Sequence, residues 1–178
     1  LFRSVKSFNE KHNLNVTAGY AYYFRKEARL AAAGRGASTD LIPTLNASSV
    51  PVSVSSSITE RSIQGIFARI GYDYKDKYLI SVSARYDGAS NLGTNNKWGF
   101  FPGVSLGWHV DKEKFWSFMP ENLMRLKLRA SYGVNGNISG LGDYTAQGSY
   151  SVGSKYLGNA GITMGTMANQ DLSWEESK

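Results

Sequence analysis

Residues 65–87 read GIFARIGYDYKDKYLISVSARYD, and this stretch decides the fold. On both sides of a short turn at 75–77, apolar side chains occupy every even-numbered position, whereas most odd-numbered positions are polar or glycine. Side chains of a β-strand point alternately to opposite faces. The stretch therefore predicts two strands joined by a tight turn, with one apolar face and one polar face.

The same alternation extends in both directions along the chain. The five predicted strands span residues 13–25, 65–74, 78–87, 98–110 and 124–134. They are 10 to 13 residues long, whereas strands of globular proteins are most often about 5–6 residues long. A tilted strand that crosses a membrane needs about 9–11 residues. Strand length therefore favours an all-β, antiparallel transmembrane barrel.

Large aromatic side chains of the apolar face lie towards the ends of these strands. If successive strands run antiparallel, the aromatic residues form two belts with Ile, Val, Leu and Ala between them. Tyr and Trp combine an apolar ring with a polar group, so they favour the membrane–water interface, and two such girdles are typical of outer-membrane barrels. The predicted girdle residues are Tyr20, Tyr22, Phe24, Tyr72, Tyr74, Tyr78, Tyr86, Trp98, Phe100, Trp108 and Tyr132.

The connections between the predicted strands differ in length. Long loops at about 26–64, 88–97 and 135–171 would share one end of an antiparallel sheet, and shorter turns at 75–77 and 111–123 the other. Bacterial barrels have long extracellular loops and short periplasmic turns. Five strands cannot close a membrane barrel, which needs about eight or more. We therefore expect these 178 residues to be a segment of a longer protein.

Composition narrows the possible chemistry. The chain has no cysteine and two histidines, which argues against disulfide scaffolds and zinc centres. The formal net charge is +6, but the basic residues are spread along the chain, so we expect no nucleic-acid partner. No stretch of about 18 apolar residues predicts a membrane helix. We expect no catalytic residue, no metal and no cofactor.

The polar face carries basic residues that would face the lumen of a barrel. These are Arg69, Arg85, Arg125, Lys127 and Arg129. They could pair with carboxylates of other chain segments inside the barrel or guide an anionic or polar solute. Loop residues rich in Gly, Ser and Asn also include three tyrosines that could contact a ligand or a lid, namely Tyr144, Tyr150 and Tyr156.

Several motifs stand in the order and spacing of a known family. They are GYDYKDKYL at 71–79, NNKWGFFP at 95–102, LKLRASYG at 126–133 and NQDLSWE at 169–175. With these motifs the chain resembles the barrel of SusC/RagA-type TonB-dependent outer-membrane transporters. The resemblance implies a barrel of 22 strands, of which this chain would supply five or six. It also implies an N-terminal plug, which these residues do not include.

The resemblance further implies a function and a set of partners. The family imports oligosaccharides or peptides across the outer membrane of Gram-negative bacteria, with energy from a TonB–ExbB–ExbD complex. The implied partners are this complex, a SusD-type lipoprotein lid, the lipid of the outer membrane and a glycan or peptide solute.

Two alternatives remain open from the residues themselves. A secreted, soluble β-sandwich that binds carbohydrate would bury the apolar face against a second sheet. A serine hydrolase would use GVSLG at 103–107, with Ser105 as nucleophile and His109 as a possible base. That motif needs a strand–turn–helix context, whereas here it lies inside an alternating strand.

Overall fold

The computed structural model describes residues 1–117 and 124–178, which form ten β-strands. Six of the strands make one antiparallel sheet in which each strand pairs with the next along the chain. These six are β1 (Phe2–Phe8), β2 (His12–Ala37), β3 (Ser48–Tyr74), β4 (Tyr78–Ala89), β5 (Trp98–His109) and β6 (Lys127–Gly133). The predicted all-β, antiparallel fold is confirmed, and β1 is a strand that the sequence analysis did not identify.

Up to the register shift at Ala33/Gly34, the register keeps the even-numbered residues of the sheet on one face. Tyr20 pairs with Ile66, Ile66 with Tyr86, and Tyr86 with Phe100. The same parity holds between β1 and β2 and between β5 and β6. Because side chains alternate along each strand, the apolar even positions form one continuous face and the odd positions form the other.

The predicted loop at 26–64 is wrong. β2 continues to Ala37 and β3 begins at Ser48, so only residues 38–47 connect the two strands. Beyond residue 25 the two strands pair only with each other, as a two-stranded ribbon that is interrupted by a register shift at Ala33/Gly34. At about 3.3 Å per residue, the ribbon extends about 40 Å past the neighbouring strands.

The sequence pattern did not predict the ribbon because of the composition of its two strands. Its pairs include Ala28 with Ile58 and Ala32 with Val54, and many of the other residues are serine or alanine. Alanine has a low intrinsic preference for strands, and small residues give weak alternation. Each strand of the ribbon satisfies the backbone hydrogen bonds of the other. These pairs join residues that are distant in sequence, so local alternation does not reveal them.

The C-terminal third also contains more strand than expected. The segment predicted as a loop at 135–171 includes β7 (Asn135–Asn137), β8 (Tyr150–Tyr156) and β9 (Asn159–Met164). β8 pairs with β9, and β7 pairs with β10 (Glu175–Ser177). The turn predicted at 111–123 lies partly outside the described residues. Its described part contains short 3-10 turns at Val110–Lys112 and Lys114–Trp116.

The main sheet is a single, open layer. β1 and β6 are its edge strands, so the sheet does not close within the part of the chain that the structure describes. Large apolar side chains of the even-numbered face, such as Ile70 and Val82, remain half exposed. The sandwich alternative requires a second sheet on this face, and none of the described strands supplies one.

Among residues 1–117 and 124–178, no helix is both long enough and apolar enough to cross a membrane.

Candidate functional site

The odd-numbered face of the sheet is concave. An open trough of about 800 Å³ lies along this face and is lined by residues from Arg3 on β1 to Ser131 on β6. Because one trough contacts both edge strands, the sheet must curve around it. Consecutive residues show the contrast between the faces: Phe100 is 58% exposed on the convex side, whereas Phe101 is 6% exposed on the concave side. We call these surfaces the convex face and the concave face.

The convex face carries its aromatic residues in bands across the strands. At one end Tyr20, Tyr86 and Phe100 lie in one row, through Ile66, and Trp98 lies in the next row outward, opposite Gly88. Tyr22 is in that outer row too, and Phe24 lies two residues further along β2. The Trp98 ring stacks on Tyr86, with centroids 5.0 Å apart and planes 13° from parallel.

The opposite end of the convex face has a second band. Tyr74, Tyr78 and Trp108 lie in one row, and Tyr72 is two residues nearer the middle. The Tyr74 and Tyr78 rings stack at 6.4 Å. Aliphatic side chains separate the two bands. A row of these comprises Val16, Ile70, Val82 and Val104.

Tyr132 does not share a row with the first band. It pairs with Val104, so it lies four residues nearer the middle of the sheet than Phe100 does. The sequence analysis placed it at the rim because it stands near the end of its strand. β6 has only seven residues and ends level with the middle of β5, so the end of this strand is not the end of the sheet.

A carboxylate fixes the turn after β5 to the second aromatic band. Glu113 accepts hydrogen bonds from Tyr78 Oη at 2.6 Å, Trp108 Nε1 at 3.2 Å and Lys77 Nζ at 3.2 Å. The hydrogen bond from Tyr78, followed by those from Trp108 and Lys77, lowers the pKa of Glu113 below its ordinary value. One ionised group therefore orients the turn and two aromatic side chains.

The predicted basic residues differ in how they are partnered. Arg85 forms a two-pronged ion pair with Asp87 at 3.0 and 3.1 Å, and its guanidinium lies over the Phe67 ring. Arg69 donates from Nε to Ser81 Oγ at 3.0 Å. Lys127 and Arg129 line the trough with Arg69.

Arg125 does not belong to the strand that carries Lys127 and Arg129. It precedes β6, which begins at Lys127. It lines a separate cavity of about 840 Å³ at the end of the sheet, together with His109 and Lys112. The even spacing of Arg125, Lys127 and Arg129 suggested one strand, but the strand starts after the first of them.

The structure also places the residues of the hydrolase alternative. Ser105 lies in the middle of β5, opposite Ser81 and Ser131, and not at a strand–helix turn. His109 is four residues further along the same strand, about 13 Å away at the usual rise, and its Nδ1 lies 3.5 Å from Asp111. The nucleophile geometry is therefore not formed.

A loop is fastened to the sheet where the ribbon begins. Arg25 and Arg61 face each other on β2 and β3, on the concave side, and both contact Asp143. Arg61 Nη2 also donates to the Leu141 carbonyl at 2.7 Å. Burial raises the pKa of Asp143, but the hydrogen bond and charge of Arg61 outweigh it, so the net pKa is lowered. We call the contacts among Arg25, Arg61 and Asp143 the loop latch.

The same loop covers the edge of β3 where β4 ends. Tyr144 Oη accepts a hydrogen bond from the Glu60 backbone N–H at 3.0 Å, and Gln147 Nε2 donates to the Ser90 carbonyl at 3.0 Å. Tyr144 thus caps a strand edge. The other two predicted loop tyrosines, Tyr150 and Tyr156, are more than 70% exposed on the β8–β9 hairpin.

A second segment reaches the concave face near the C-terminal end of the chain. The Leu172 carbonyl accepts from Gly93 N–H at 2.9 Å, and Trp174 Nε1 donates to the Lys97 carbonyl at 3.1 Å. The Trp174 ring meets Phe101 edge-on at 5.1 Å.

Sequence reasoning missed the loop latch and the Trp174 contact. For Phe101 there was a signal, because an apolar residue at an odd position breaks the alternation. Asp143 gave no local signal, since its partners are more than 80 residues away in sequence.

Comparisons with known proteins agree with this architecture. The family model "TonB dependent receptor-like, beta-barrel" matches residues 2–178. TonB-dependent receptor P39 of Formosa agariphila is 36% identical over 182 residues, which cover 99% of this chain and 17% of that protein. TonB-dependent receptor SusC of Bacteroides thetaiotaomicron is 29% identical over 125 residues, covering 67% of this chain and 12% of SusC.

A solved structure gives the same result at the level of the fold. The RagAB peptide transporter superposes with a TM-score of 0.83 and 28% identity, over 98% of this chain and 19% of that chain. The chain therefore spans less than a fifth of the length of the relatives it matches.

Proposed function

Because this chain belongs to the TonB-dependent receptor β-barrel family, we propose that it forms part of the barrel wall of an outer-membrane importer. The importer takes up a bulky nutrient, either an oligosaccharide or a peptide. The single observation that carries the proposal is the opposite chemistry of the two faces of the main sheet. The convex face is aliphatic between two aromatic bands, as a lipid-facing barrel wall requires.

In the proposed arrangement the concave face lines the lumen. Its small polar and basic side chains are compatible with water and with a passing solute, whereas they would be costly in contact with lipid. The rest of the barrel pairs with the free edges of β1 and β6, because open strand edges in a bilayer leave backbone groups without hydrogen bonds.

The ends of the sheet are assigned by the length of the connections. The long β2–β3 ribbon, the connection at 90–97 and the latched loop share one end, which we place outside the cell. The three-residue turn at 75–77 and the turn that contains Glu113 lie at the periplasmic end. No covalent chemistry is assigned to the wall, whose role is to admit and pass the solute.

Two partners follow from the family assignment. A SusD-type lipoprotein would close the extracellular end, where Tyr150 and Tyr156 are exposed. A TonB–ExbB–ExbD complex would supply energy through parts of the protein beyond these residues. One of the similar structures is that of the RagAB peptide transporter, and peptides therefore remain within the proposed class of solute.

The proposal is tested by uptake in cells that carry the whole protein. Labelled oligosaccharides and peptides are offered to the parent strain, to a strain lacking the gene, and to the parent strain after deletion of tonB. Uptake of at least one solute should fall to background in both deleted strains. Equal uptake in all three strains would contradict the assignment as an energy-dependent importer.

A further inference from the structure

Two turns lie side by side at the end of the sheet that we place in the periplasm. Residues 9–11 join β1 to β2, and residues 75–77 join β3 to β4. The Lys75 N–H donates to the Lys11 carbonyl at 2.6 Å, so the two turns are fastened to each other. They form one continuous rim beside the second aromatic band.

The last row of the convex face before these turns is built from rings. Phe8 pairs with His12, and His12 pairs with Tyr74. The His12 ring lies 4.9 Å from that of Tyr74, and its Nδ1 is hydrogen-bonded to Tyr72 Oη at 2.7 Å. With strands about 4.8 Å apart, Phe8 and Tyr74 stand about 10 Å from each other. The row therefore carries two aromatic rings with an imidazole between them.

Each of these two aromatic rings lies under an ammonium group. Lys6 Nζ is 4.9 Å from the centroid of the Phe8 ring, and Lys75 Nζ is 5.1 Å from that of Tyr74. The negative face of an aromatic ring attracts a cation in this position. Both lysines are exposed, and we call Lys6 and Lys75 the rim lysines.

The position of Lys6 is informative because this residue belongs to the convex face. It pairs with Leu14, which shares a row with Tyr72 and Ile80. A cation in contact with hydrocarbon is costly, but the cost becomes small near the membrane–water interface. Long lysine side chains therefore extend their charged group towards the interface. The ammonium of Lys6 does so, because it lies over Phe8, two residues nearer the turn.

The outward side of this rim does not depend on the rest of the barrel. A further strand that pairs with the free edge of β1 would extend the same layer, and a plug would lie on the concave side. Neither would cover the convex face beside the rim lysines, which borders the membrane in a barrel. The groups that approach the rim lysines from outside are therefore those of lipids.

The charge of the rim favours an anion. Glu113 accepts hydrogen bonds from three side chains, and Asp76 Oδ2 lies 3.9 Å from Lys112 Nζ. At the tips of the two turns, Glu10 is then outweighed by the rim lysines and Lys11. The summed charge of these four side chains is positive.

We propose that the rim lysines bind the phosphate of an anionic phospholipid in the periplasmic leaflet, an inference that rests on the outer-membrane placement proposed above. The acyl chains lie against the aliphatic part of the convex face, and the phosphate lies between the two ammonium groups. Ammonium groups form strong hydrogen bonds with phosphate oxygens, and basic residues beside a membrane-spanning segment attract anionic lipids. A headgroup with an ammonium of its own is bound less well, because that ammonium opposes the lysines.

The test uses the whole natural protein purified in detergent. It is offered equal amounts of phosphatidylglycerol, which is anionic, and phosphatidylethanolamine, which carries an ammonium. Native mass spectrometry counts the lipids that remain bound. The wild type should retain phosphatidylglycerol in preference. Lys6→Gln and Lys75→Gln should each lower this preference about fivefold, the effect expected for one cation at an anionic membrane surface.

Two control variants separate the site from general charge. Lys155→Gln removes an exposed lysine from the β8–β9 hairpin and should leave the preference unchanged. Lys6→Arg/Lys75→Arg keeps both cations and should retain most of the preference. Heat-modifiable electrophoretic mobility checks the folding of each variant. Lys75 lies in an exposed turn, so its Gln variant should fold normally and gives a clear result by itself.

Three results would overturn the inference. One is equal retention of the two lipids by the wild type. Another is a preference that neither Gln variant lowers, because the rim lysines would then only extend towards water. The third is full displacement of phosphatidylglycerol by an equal concentration of inorganic phosphate or of an oligoglutamate peptide, which would indicate a free anion or an acidic protein surface as the occupant.

Failure of this inference can be distinguished from failure of the proposed function. If uptake depends on tonB but no variant changes the lipid preference, the lipid site is wrong and the importer function stands. If uptake is equal in all three strains while the preference depends on the rim lysines, the lipid site stands and the importer function is wrong.

Discussion

The convex and concave faces of the main sheet are built from alternate residues of the same strands, yet they follow different rules. The convex face repeats aliphatic side chains between aromatic bands, as in Val16, Ile70, Val82 and Val104. At the positions in between, the concave face carries glycine, serine, asparagine and arginine. An antiparallel sheet of a soluble protein also has one apolar face, but that face is buried in the core. Here the apolar face remains half exposed.

The comparison shows that a single strand can present apolar side chains to one environment and polar side chains to another. A one-residue slip of any one strand would move its polar residues to the convex face and its aliphatic residues to the concave face. The register is therefore fixed by the surroundings on both faces. The aromatic bands mark where the apolar surroundings of the convex face end.

The largest effect is expected from exchanging the chemistry of the two faces at neighbouring positions. Val82→Arg places a cation in the aliphatic row and should cost about 2–4 kcal/mol near the bilayer midplane, whereas Ser83→Arg points into the lumen. The folded fraction of the whole protein in the outer membrane, measured by heat-modifiable electrophoretic mobility, should fall for Val82→Arg alone. Equal tolerance of both variants would reverse the assignment of the faces.

A second pair of variants asks where the convex face stops contacting lipid. Ile70 lies in the aliphatic row, and Leu30 lies on the ribbon, 76% exposed. Ile70→Arg should impair assembly, but Leu30→Arg should change stability by no more than about 0.5 kcal/mol, as for other surface positions. The same mobility assay reports both. Similar damage from Leu30→Arg would indicate that another body covers the ribbon.

A smaller, local effect is expected on the concave side at the loop latch. Asp143→Asn removes the charge that Arg25 and Arg61 share, so the loop should open more often while the barrel stays folded. Protease cleavage within residues 138–148 should become about tenfold faster, the change expected for loss of a charged hydrogen bond. Asp40→Asn, on an exposed connection, is the matched control. No change in cleavage would mean that other contacts hold the loop.

The smallest effect is expected from lowering the pH, because the loop latch should change little until the solution is strongly acidic. The pKa of Asp143 is lowered in the folded protein, so its ionisation contributes stability above the ordinary Asp pKa of about 3.9. This contribution is lost as the pH falls below that value, through the lowered pKa. The rate of pepsin cleavage, divided by that of Asp143→Asn at the same pH, should therefore stay low at about pH 4 and approach one only in stronger acid. A ratio of one already at pH 5 would show that Asp143 does not control the loop.

Much of the main sheet could be predicted from alternation alone. Residues 65–87 fix two strands, their turn and their two faces, because β2–β5 obey one parity. Prediction failed where alternation is weak or short. The ribbon pairs alanine and serine with β-branched residues, and β6 begins only at Lys127. Neither boundary is marked by a strong turn signal.

The candidate site divides in the same way. The sequence identified Arg69 and Arg129 as basic residues of the polar face, but it could not show which basic residues have partners. Arg85 is neutralised two residues away by Asp87, whereas Arg61 is neutralised by Asp143, 82 residues away. Only the fold shows which charges pair with each other.

The sequence by itself determined the alternation, and with it the two faces and the family motifs, because side-chain direction in a strand depends only on position along the chain. The tertiary structure decided the lateral order of residues across strands. It aligned Ser81, Ser105 and Ser131 across three strands, set Tyr132 beside Val104 and brought Asp143 between two arginines. These contacts join residues distant in sequence, and hydrogen bonding between neighbouring strands fixes them.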